Sequence, residues 1–246
     1  MSTTAPHGLD GLGCGIEQSV SISFTPSAGD DCHDGCRMRK RINGKKPACY
    51  ALNHEKRFKH LAAELLKRRA NPTIYINKAA IAINYLRNYF VRISKFGTVL
   101  NRSDALTTRG YLPALRLFLE RVAAGDNRLQ WFIESRSKVK FYRELLTAWK
   151  LPFIIRESVQ SVAALNRRPI GEHLAIVCGD NGDGLSIQQR IDNAHALAAA
   201  QRAKGRTSIV CGKVRGADDP RDPRKCGECN ACVEKLVQLI ILPKHR

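Results

Sequence analysis

The chain has 246 residues, with 41 Lys and Arg against 22 Asp and Glu, which gives a formal net charge of +19. Apolar residues make up 43% of it, enough for a buried core, and this argues against intrinsic disorder. No apolar stretch approaches the ~20 residues that span a bilayer, and the first 14 residues lack the pattern of a secretory signal. We therefore expect a cytoplasmic protein with no membrane partner, in which most of the nine cysteines bind metal rather than form disulfides. Cys178 is expected to be an ordinary buried strand cysteine, and Cys14 has no assigned role.

Apolar periodicity predicts strands that alternate with helices along the chain. The predicted strands cover 19–24, 90–96, 129–133, 152–155, 173–178 and 208–211. The predicted helices cover 54–69, 71–87, 112–124, 138–150, a segment from 187 to about 198, and 233–242. Such alternation implies parallel pairing with right-handed crossovers. The predicted fold is therefore α/β, a partial (β/α) barrel of about six mostly parallel strands, with a doubly wound sheet as the alternative.

The same pattern predicts three segments and a ligand-binding edge. The segments are a flexible N-terminus over 1–18, the barrel over 19–212 with a cysteine loop at 32–49, and a C-terminal cysteine loop and helix over 213–246. Ligands collect at the carboxyl ends of parallel strands. The candidate cofactor-binding residues at these predicted ends are Glu134, Arg136, Arg156 and Asp180. Structural salt bridging is the alternative role for each of them.

The C-terminal cysteines have the spacing of a metal site. Cys226, Cys229 and Cys232 follow one another at two-residue spacings, and Cys211 lies upstream at a predicted strand end. Three thiolates in a tight loop can bind one metal centre, and Cys211 would complete a set of four. The spacing matches the opening of the bacterial ferredoxin run, so an iron–sulfur cluster is expected, with structural zinc as the alternative.

The N-terminal cysteines form a second group after the first predicted strand. Cys32 and Cys36 are separated by three residues, and Cys49 follows twelve residues later. Three cysteines indicate a cluster with one open iron, which could bind a substrate or S-adenosylmethionine. The alternative is a zinc site completed by His33 or His54.

A strongly basic stretch begins within the N-terminal cysteine group. It consists of Arg37, Arg39, Lys40, Arg41, Lys45 and Lys46. Such a stretch can bind nucleic-acid phosphates or another polyanion, although a solvated basic loop has the same composition. We expect nucleic acid, or another polyanion, as a partner.

Several of these elements together resemble the phage and plasmid gene-product-88 family. They are the first strand, the cysteine loop ending in Cys49-Tyr50-Ala51, the segment 90–97, and the terminal Cys211, Cys226, Cys229 and Cys232. This family is similar to the radical S-adenosylmethionine enzymes. The resemblance implies a partial (β/α) barrel with 4Fe–4S clusters, one at Cys32, Cys36 and Cys49 and one at the C-terminal cysteines. It also implies S-adenosylmethionine as a cofactor and an electron donor as a partner.

Two functional hypotheses follow from the sequence. In the first, the chain is an iron–sulfur protein with a radical-enzyme-like barrel, in which the N-terminal cluster is the reactive centre. In the second, it is a basic nucleic-acid-binding protein without catalysis, stabilised by zinc.

Overall fold

Strands and helices alternate through the part of the chain described by the computed structural model, and the strands pair mostly in parallel. That part comprises residues 10–11, 19–22, 63, 67–68, 70–93, 99–179, 184–214, 217–218 and 230–243. It divides into two compact units, unit 1 ending at Ile155 and unit 2 beginning at Arg156. The predicted α/β class with about six mostly parallel strands is confirmed.

Unit 1 contains a run of four neighbouring strands. In spatial and chain order they are β1 (Asp10–Gly11), β2 (Ser19–Ile22), β3 (Phe90–Ile93) and β4 (Arg128–Ile133). The short β1 is antiparallel to β2, whereas β2, β3 and β4 are parallel to one another. The segments that connect these parallel strands are long enough to contain helices, as parallel pairing requires.

Of the helices in the described part of unit 1, three match predicted ones and one was not predicted. The matching helices are α1 (Pro72–Ile83), which ends four residues before the predicted end at 87, α3 (Tyr111–Ala124) and α4 (Arg136–Ala148). The sequence predicts no helix at α2 (Arg102–Thr107). Pro72 occupies the first turn of α1, where its missing N–H costs no helical hydrogen bond. Gly125 ends α3, as predicted. The predicted helix over 54–69 lies largely outside the described residues.

Two buried tyrosines bring hydroxyl groups into the core of unit 1. The Tyr142 hydroxyl donates to the Leu100 carbonyl at 2.9 Å. The Tyr111 hydroxyl oxygen lies 3.4 Å from the Tyr142 hydroxyl oxygen. The Tyr142 ring also packs against Trp131, with centroids 5.2 Å apart. Burial raises the pKa of Tyr111 to about 12 and raises the pKa of Tyr142 well above its ordinary value. Both phenols therefore stay protonated in the folded protein near neutral pH.

Unit 2 contains four parallel strands in an order that differs from the chain order. They lie in the order β5 (Arg156–Val159), β6 (Leu174–Cys178), β10 (Leu239–Pro243) and β7 (Ser208–Val210). A separate antiparallel pair is formed by β8 (Lys213–Val214) and β9 (Ala217–Asp218). The last strand in the chain is thus inserted between two earlier ones, with Ile240 in register with both Ala175 and Ile209.

The described residues of unit 2 also form two helices, α5 (Val162–Asn166) and α6 (Ile187–Ala203). At the start of α6, Ser186 and Gln189 form a capping box, each side chain bonding the other residue's backbone N–H. Ala194 and Ala198 of α6 pack into an aliphatic core with Ile176 and Ile241. Among the helices of the described residues, none combines the length and apolarity needed to cross a membrane.

Two sequence predictions about secondary structure are wrong. The predicted terminal helix over 233–242 is instead a turn followed by β10. The predicted strand over 152–155 is displaced, because residues 156–159 form the strand and 151–155 form none. Pairing with distant strands, which apolar spacing does not encode, determines both outcomes. The predicted division of the chain at residues 18 and 212 stays a prediction.

Candidate metal centre

The described residues include only part of the predicted sites. They include Cys211, Cys232, Glu134, Arg136 and Arg156. The other predicted site residues lie outside the described residues: Cys32, Cys36, Cys49, Cys226, Cys229, Asp180, Arg37, Arg39, Lys40, Arg41, Lys45 and Lys46. The structure therefore gives the positions of two of the C-terminal cysteines and of three of the four predicted strand-end residues.

Arg156 holds the turn that contains Cys232. Its side chain is fully buried, and its guanidinium donates to four backbone carbonyls of the segment 231–237. These bonds reach Ala231 at 3.0 Å, Cys232 at 3.1 Å, Glu234 at 2.8 Å and Val237 at 2.7 Å. A planar guanidinium with five N–H donors suits such convergent carbonyls, whereas a lysine ammonium has only three donors on one atom. The last cysteine of the motif is thus held in place by a residue 76 positions earlier.

This position changes how Arg156 is interpreted. The sequence places it after a strand, at the ligand-binding edge, but it is the first residue of β5 and lies at the amino-terminal edge. Its donors bond the backbone of its own unit. The predicted strand-end placement of Arg156 is wrong because β5 begins after the apolar segment 152–155 rather than within it.

A second group of charged residues lies at the same edge of unit 2. The buried Glu157 carboxylate pairs with Arg168 at 2.6 Å. Arg206, also buried, donates to the Gln201 side chain at 2.6 Å and to the Arg168 carbonyl at 2.8 Å. Buried charges need such partners, because an unpaired charge in the interior is costly. Together these bonds join the segments that precede β6 and β7.

Cys211 and Cys232 lie beside two neighbouring parallel strands of unit 2. The turn containing Cys232 precedes β10, and the carbonyl of Lys235 in the same segment lies 2.8 Å from the His173 ring. Cys211 follows the end of β7, and its N–H donates to the carbonyl of Ile241 within β10 at 2.8 Å. That both cysteines bind one metal centre stays a prediction.

The described cysteines form no disulfide: Cys178, Cys211 and Cys232 are all reduced and partly buried. Burial raises the pKa of the Cys178 thiol to about 11, so it is protonated and unreactive near neutral pH. This agrees with its prediction as an ordinary strand cysteine. Within the described ranges, no three His, Cys, Asp or Glu side chains converge as metal ligands.

Glu134 and Arg136 belong to unit 1 and lie after the carboxyl end of a strand, as predicted. Glu134 directly follows β4, at its carboxyl end, and is partly buried. Arg136 is the first residue of α4 and is exposed. Nearby, the Lys138 ammonium donates to the Val99 carbonyl at 2.8 Å. The strand-end placement of both residues is confirmed, and their role in binding a cofactor stays a prediction.

Sequence reasoning missed that six of the 41 basic residues are arginines that bond the protein's own backbone within the described part of the chain. Several arginines donate from the guanidinium to a main-chain carbonyl: Arg87, Arg121, Arg143, Arg156, Arg202 and Arg206. The net charge alone predicts a polyanionic partner, but these side chains already have an intramolecular function. No local pattern distinguishes Arg121, Arg156 and Arg206 from surface arginines, because their acceptors lie 41, 81 and 38 positions away in the chain.

Comparisons with known proteins leave the family open. No family model, curated protein or solved structure matches this chain. The resemblance to the gene-product-88 family therefore stays a prediction that depends on the sequence motifs alone.

Proposed function

We propose that the chain is an iron–sulfur protein in which Cys226, Cys229 and Cys232 bind one cluster. The observation that carries this proposal is the Arg156 clamp, which donates to the carbonyls of Ala231, Cys232 and Glu234. A ligand residue held in this way loses little additional conformational entropy when it binds metal. Soft thiolates at two-residue spacing favour iron–sulfur clusters or zinc over harder cations.

The charge of Arg156 also supports an anionic metal site. The Arg156 Nε lies 3.1 Å from the Cys232 carbonyl oxygen, so a fixed positive charge adjoins the backbone of the proposed ligand. An anionic cluster bound by three thiolates would be stabilised by the same charge.

We further propose that Cys211 is not part of this centre. Cys211 follows the end of β7, whereas the Cys232 turn precedes the parallel strand β10. This placement supports a three-cysteine set, in which another group fills the fourth position. This revises the four-cysteine set expected from sequence spacing, and it makes the two cysteines distinguishable by substitution.

The experiment is an anaerobic purification followed by iron, acid-labile sulfide and zinc analysis. The wild-type chain should be brown and contain iron and sulfide in equal amounts. Cys232→Ser should lose the iron and sulfide of one cluster, whereas Cys211→Ser and the matched control Cys178→Ser should keep the wild-type content. Stoichiometric zinc without sulfide would overturn the iron–sulfur proposal, and equal losses in C232S and C211S would restore the four-cysteine set.

The proposed roles of the N-terminal cysteines and of the basic stretch are supported by the sequence alone. We keep the proposal that Cys32, Cys36 and Cys49 bind a second cluster that can contact S-adenosylmethionine. Cleavage of S-adenosylmethionine by the reduced protein would support an enzyme, and its absence would favour a protein without this chemistry. Nucleic-acid binding that weakens steeply with salt would support a phosphate-binding role for the basic stretch.

A further inference from the structure

Three large apolar side chains lie on the solvent-facing side of α1. They are Ile74, Ile81 and Tyr85, which are 55%, 59% and 78% exposed. At about 100° per residue, spacings of seven and four positions place them within about 40° of arc around the helix axis. Tyr85 lies in the turn that follows the helix, where its N–H donates to the Ala82 carbonyl at 3.4 Å. The three side chains thus form one stripe along the helix, which we call the α1 stripe.

The opposite side of α1 is buried in the core of unit 1. Ile76, Ala79, Ala80 and Ile83 are fully buried there. The Arg121 guanidinium of α3 also donates to the Ala80 carbonyl at 2.7 Å, which joins the two helices. A surface helix with one buried apolar face ordinarily presents polar residues to solvent. The α1 stripe is therefore a second apolar surface on the same helix, of the kind that marks an interaction site.

The surface of α1 is also nearly free of charge. From Ala70 to Leu86 the sequence has one charged residue, Lys78, whereas 26% of the whole chain is charged. The other exposed positions on this side of α1 are Asn77 and Asn84. Charged residues are depleted, and aromatic residues enriched, at the centre of protein–protein interfaces. The composition of this surface thus fits a protein partner whose recognition does not depend on charge.

A second copy of the chain is the partner that this surface fits best. Nucleic acid, an anionic membrane and an acidic protein are all attracted by basic residues, and here only Lys78 adjoins the stripe. Two copies with a net charge of +19 each repel one another, so they approach most easily where charge is lowest. Ile74 with Asn77, and Ile81 with Asn84, have the spacing of the a and d positions of two heptads. Polar asparagines in such a seam fix the register of helix pairing.

We propose that two copies of the chain associate through the α1 stripe about a two-fold axis. Both copies then use the same surface, as in the commonest class of homodimer. The helix has 12 residues and is about 18 Å long, so one helix pair buries less than about 800 Å² per partner, the size of a standard stable interface. The dimer should therefore dissociate in the micromolar range. This inference does not depend on the proposed iron–sulfur centre.

The test measures the oligomeric state of the full chain, purified anaerobically, by sedimentation velocity across the micromolar concentration range. Ile81→Lys places a charge in the middle of the α1 stripe. The matched control, Leu106→Lys, places one at a leucine of α2 that is 58% exposed, against 59% for Ile81. Because both positions are exposed and lysine is a good helix former, both variants should keep the fold, which circular dichroism checks. Tyr85→Lys serves as the second variant if I81K does not fold.

Wild type and L106K should dimerise with the same dissociation constant. In I81K this constant should rise at least about tenfold, because the two lysines oppose each other across the interface. High ionic strength should strengthen the wild-type dimer, since salt screens the repulsion between two positive chains. A wild-type chain that stays monomeric, or an I81K dimer as strong as that of L106K, would overturn the inference.

Vesicles of phosphatidylglycerol test a membrane surface as the alternative partner of the α1 stripe. Wild type, I81K and L106K should sediment with these vesicles to the same extent, because the proposed partner of the stripe is another copy of the chain. A monomeric wild type that sediments with the vesicles when I81K does not would assign the stripe to a membrane surface and overturn the inference.

Discussion

The Nη1 of Arg156 donates to the carbonyl oxygen of Val237 at 2.7 Å, across 81 positions of sequence. This bond joins the first residue of β5 to the segment just before β10. Together with three further carbonyl bonds it makes one buried side chain the main support of the turn that contains Cys232. A buried guanidinium in this setting is a structural element whose loss leaves several carbonyls without donors.

Arg156→Lys is expected to lower the free energy of unfolding by about 2–4 kcal/mol, because unpaired buried polar groups cost about 1–3 kcal/mol each and lysine cannot reproduce the fork. Urea denaturation at neutral pH measures this loss. Amide hydrogen exchange within 231–238 should also become faster than in the rest of the unit. Arg167→Lys, at an exposed position, is the matched control. A stability loss no larger than that of the control would show that the clamp contributes nothing.

The Arg156 clamp also shows where sequence reasoning succeeds and fails. Amphipathic periodicity predicted α3 and α6, because each helix buries one face against a core. It failed for β10, whose preceding residues Val233, Leu236 and Val237 mimic helical spacing. Pairing with β6 and β7 makes β10 a strand, and no local sequence pattern encodes this pairing.

Asn127 is expected to be a large contributor to the stability of unit 1. Its side-chain oxygen accepts from the Tyr89 N–H at 2.8 Å, and its amide donates to the Leu86 carbonyl at 3.2 Å. The side chain is buried, and a Cβ added at Gly125 would lie 2.6 Å from the same Leu86 oxygen, so the site has no room to rearrange. Asn127→Ala should therefore cost about 1–3 kcal/mol, since it leaves the Tyr89 N–H without its acceptor, while the Leu86 carbonyl still accepts from the Arg87 guanidinium at 2.9 Å.

Thermal and urea unfolding measure the Asn127→Ala effect, with the exposed Asn84→Ala as the matched control. The variant should keep the helical circular dichroism of the wild type at low temperature, because the lost bonds join loops rather than helices. A melting temperature equal to that of the control would contradict the assigned role.

Tyr111→Phe is expected to make the folded protein less sensitive to alkaline pH. Burial raises the pKa of Tyr111 to about 12 from the ordinary 10.0, so above pH 10 the unfolded chain loses a proton that the folded chain retains. The stability that this difference contributes is complete below pH 10 and is lost as pH rises towards 12. One pKa unit corresponds to about 1.4 kcal/mol, so wild type should lose about 1 kcal/mol more than the variant between pH 8 and pH 11.

Urea midpoints at the two pH values measure this difference in stability between Y111F and wild type, with Tyr85→Phe, at an exposed ring, as the control. Equal losses of stability in Y111F and wild type would show that the Tyr111 phenol does not cause the loss of stability at alkaline pH.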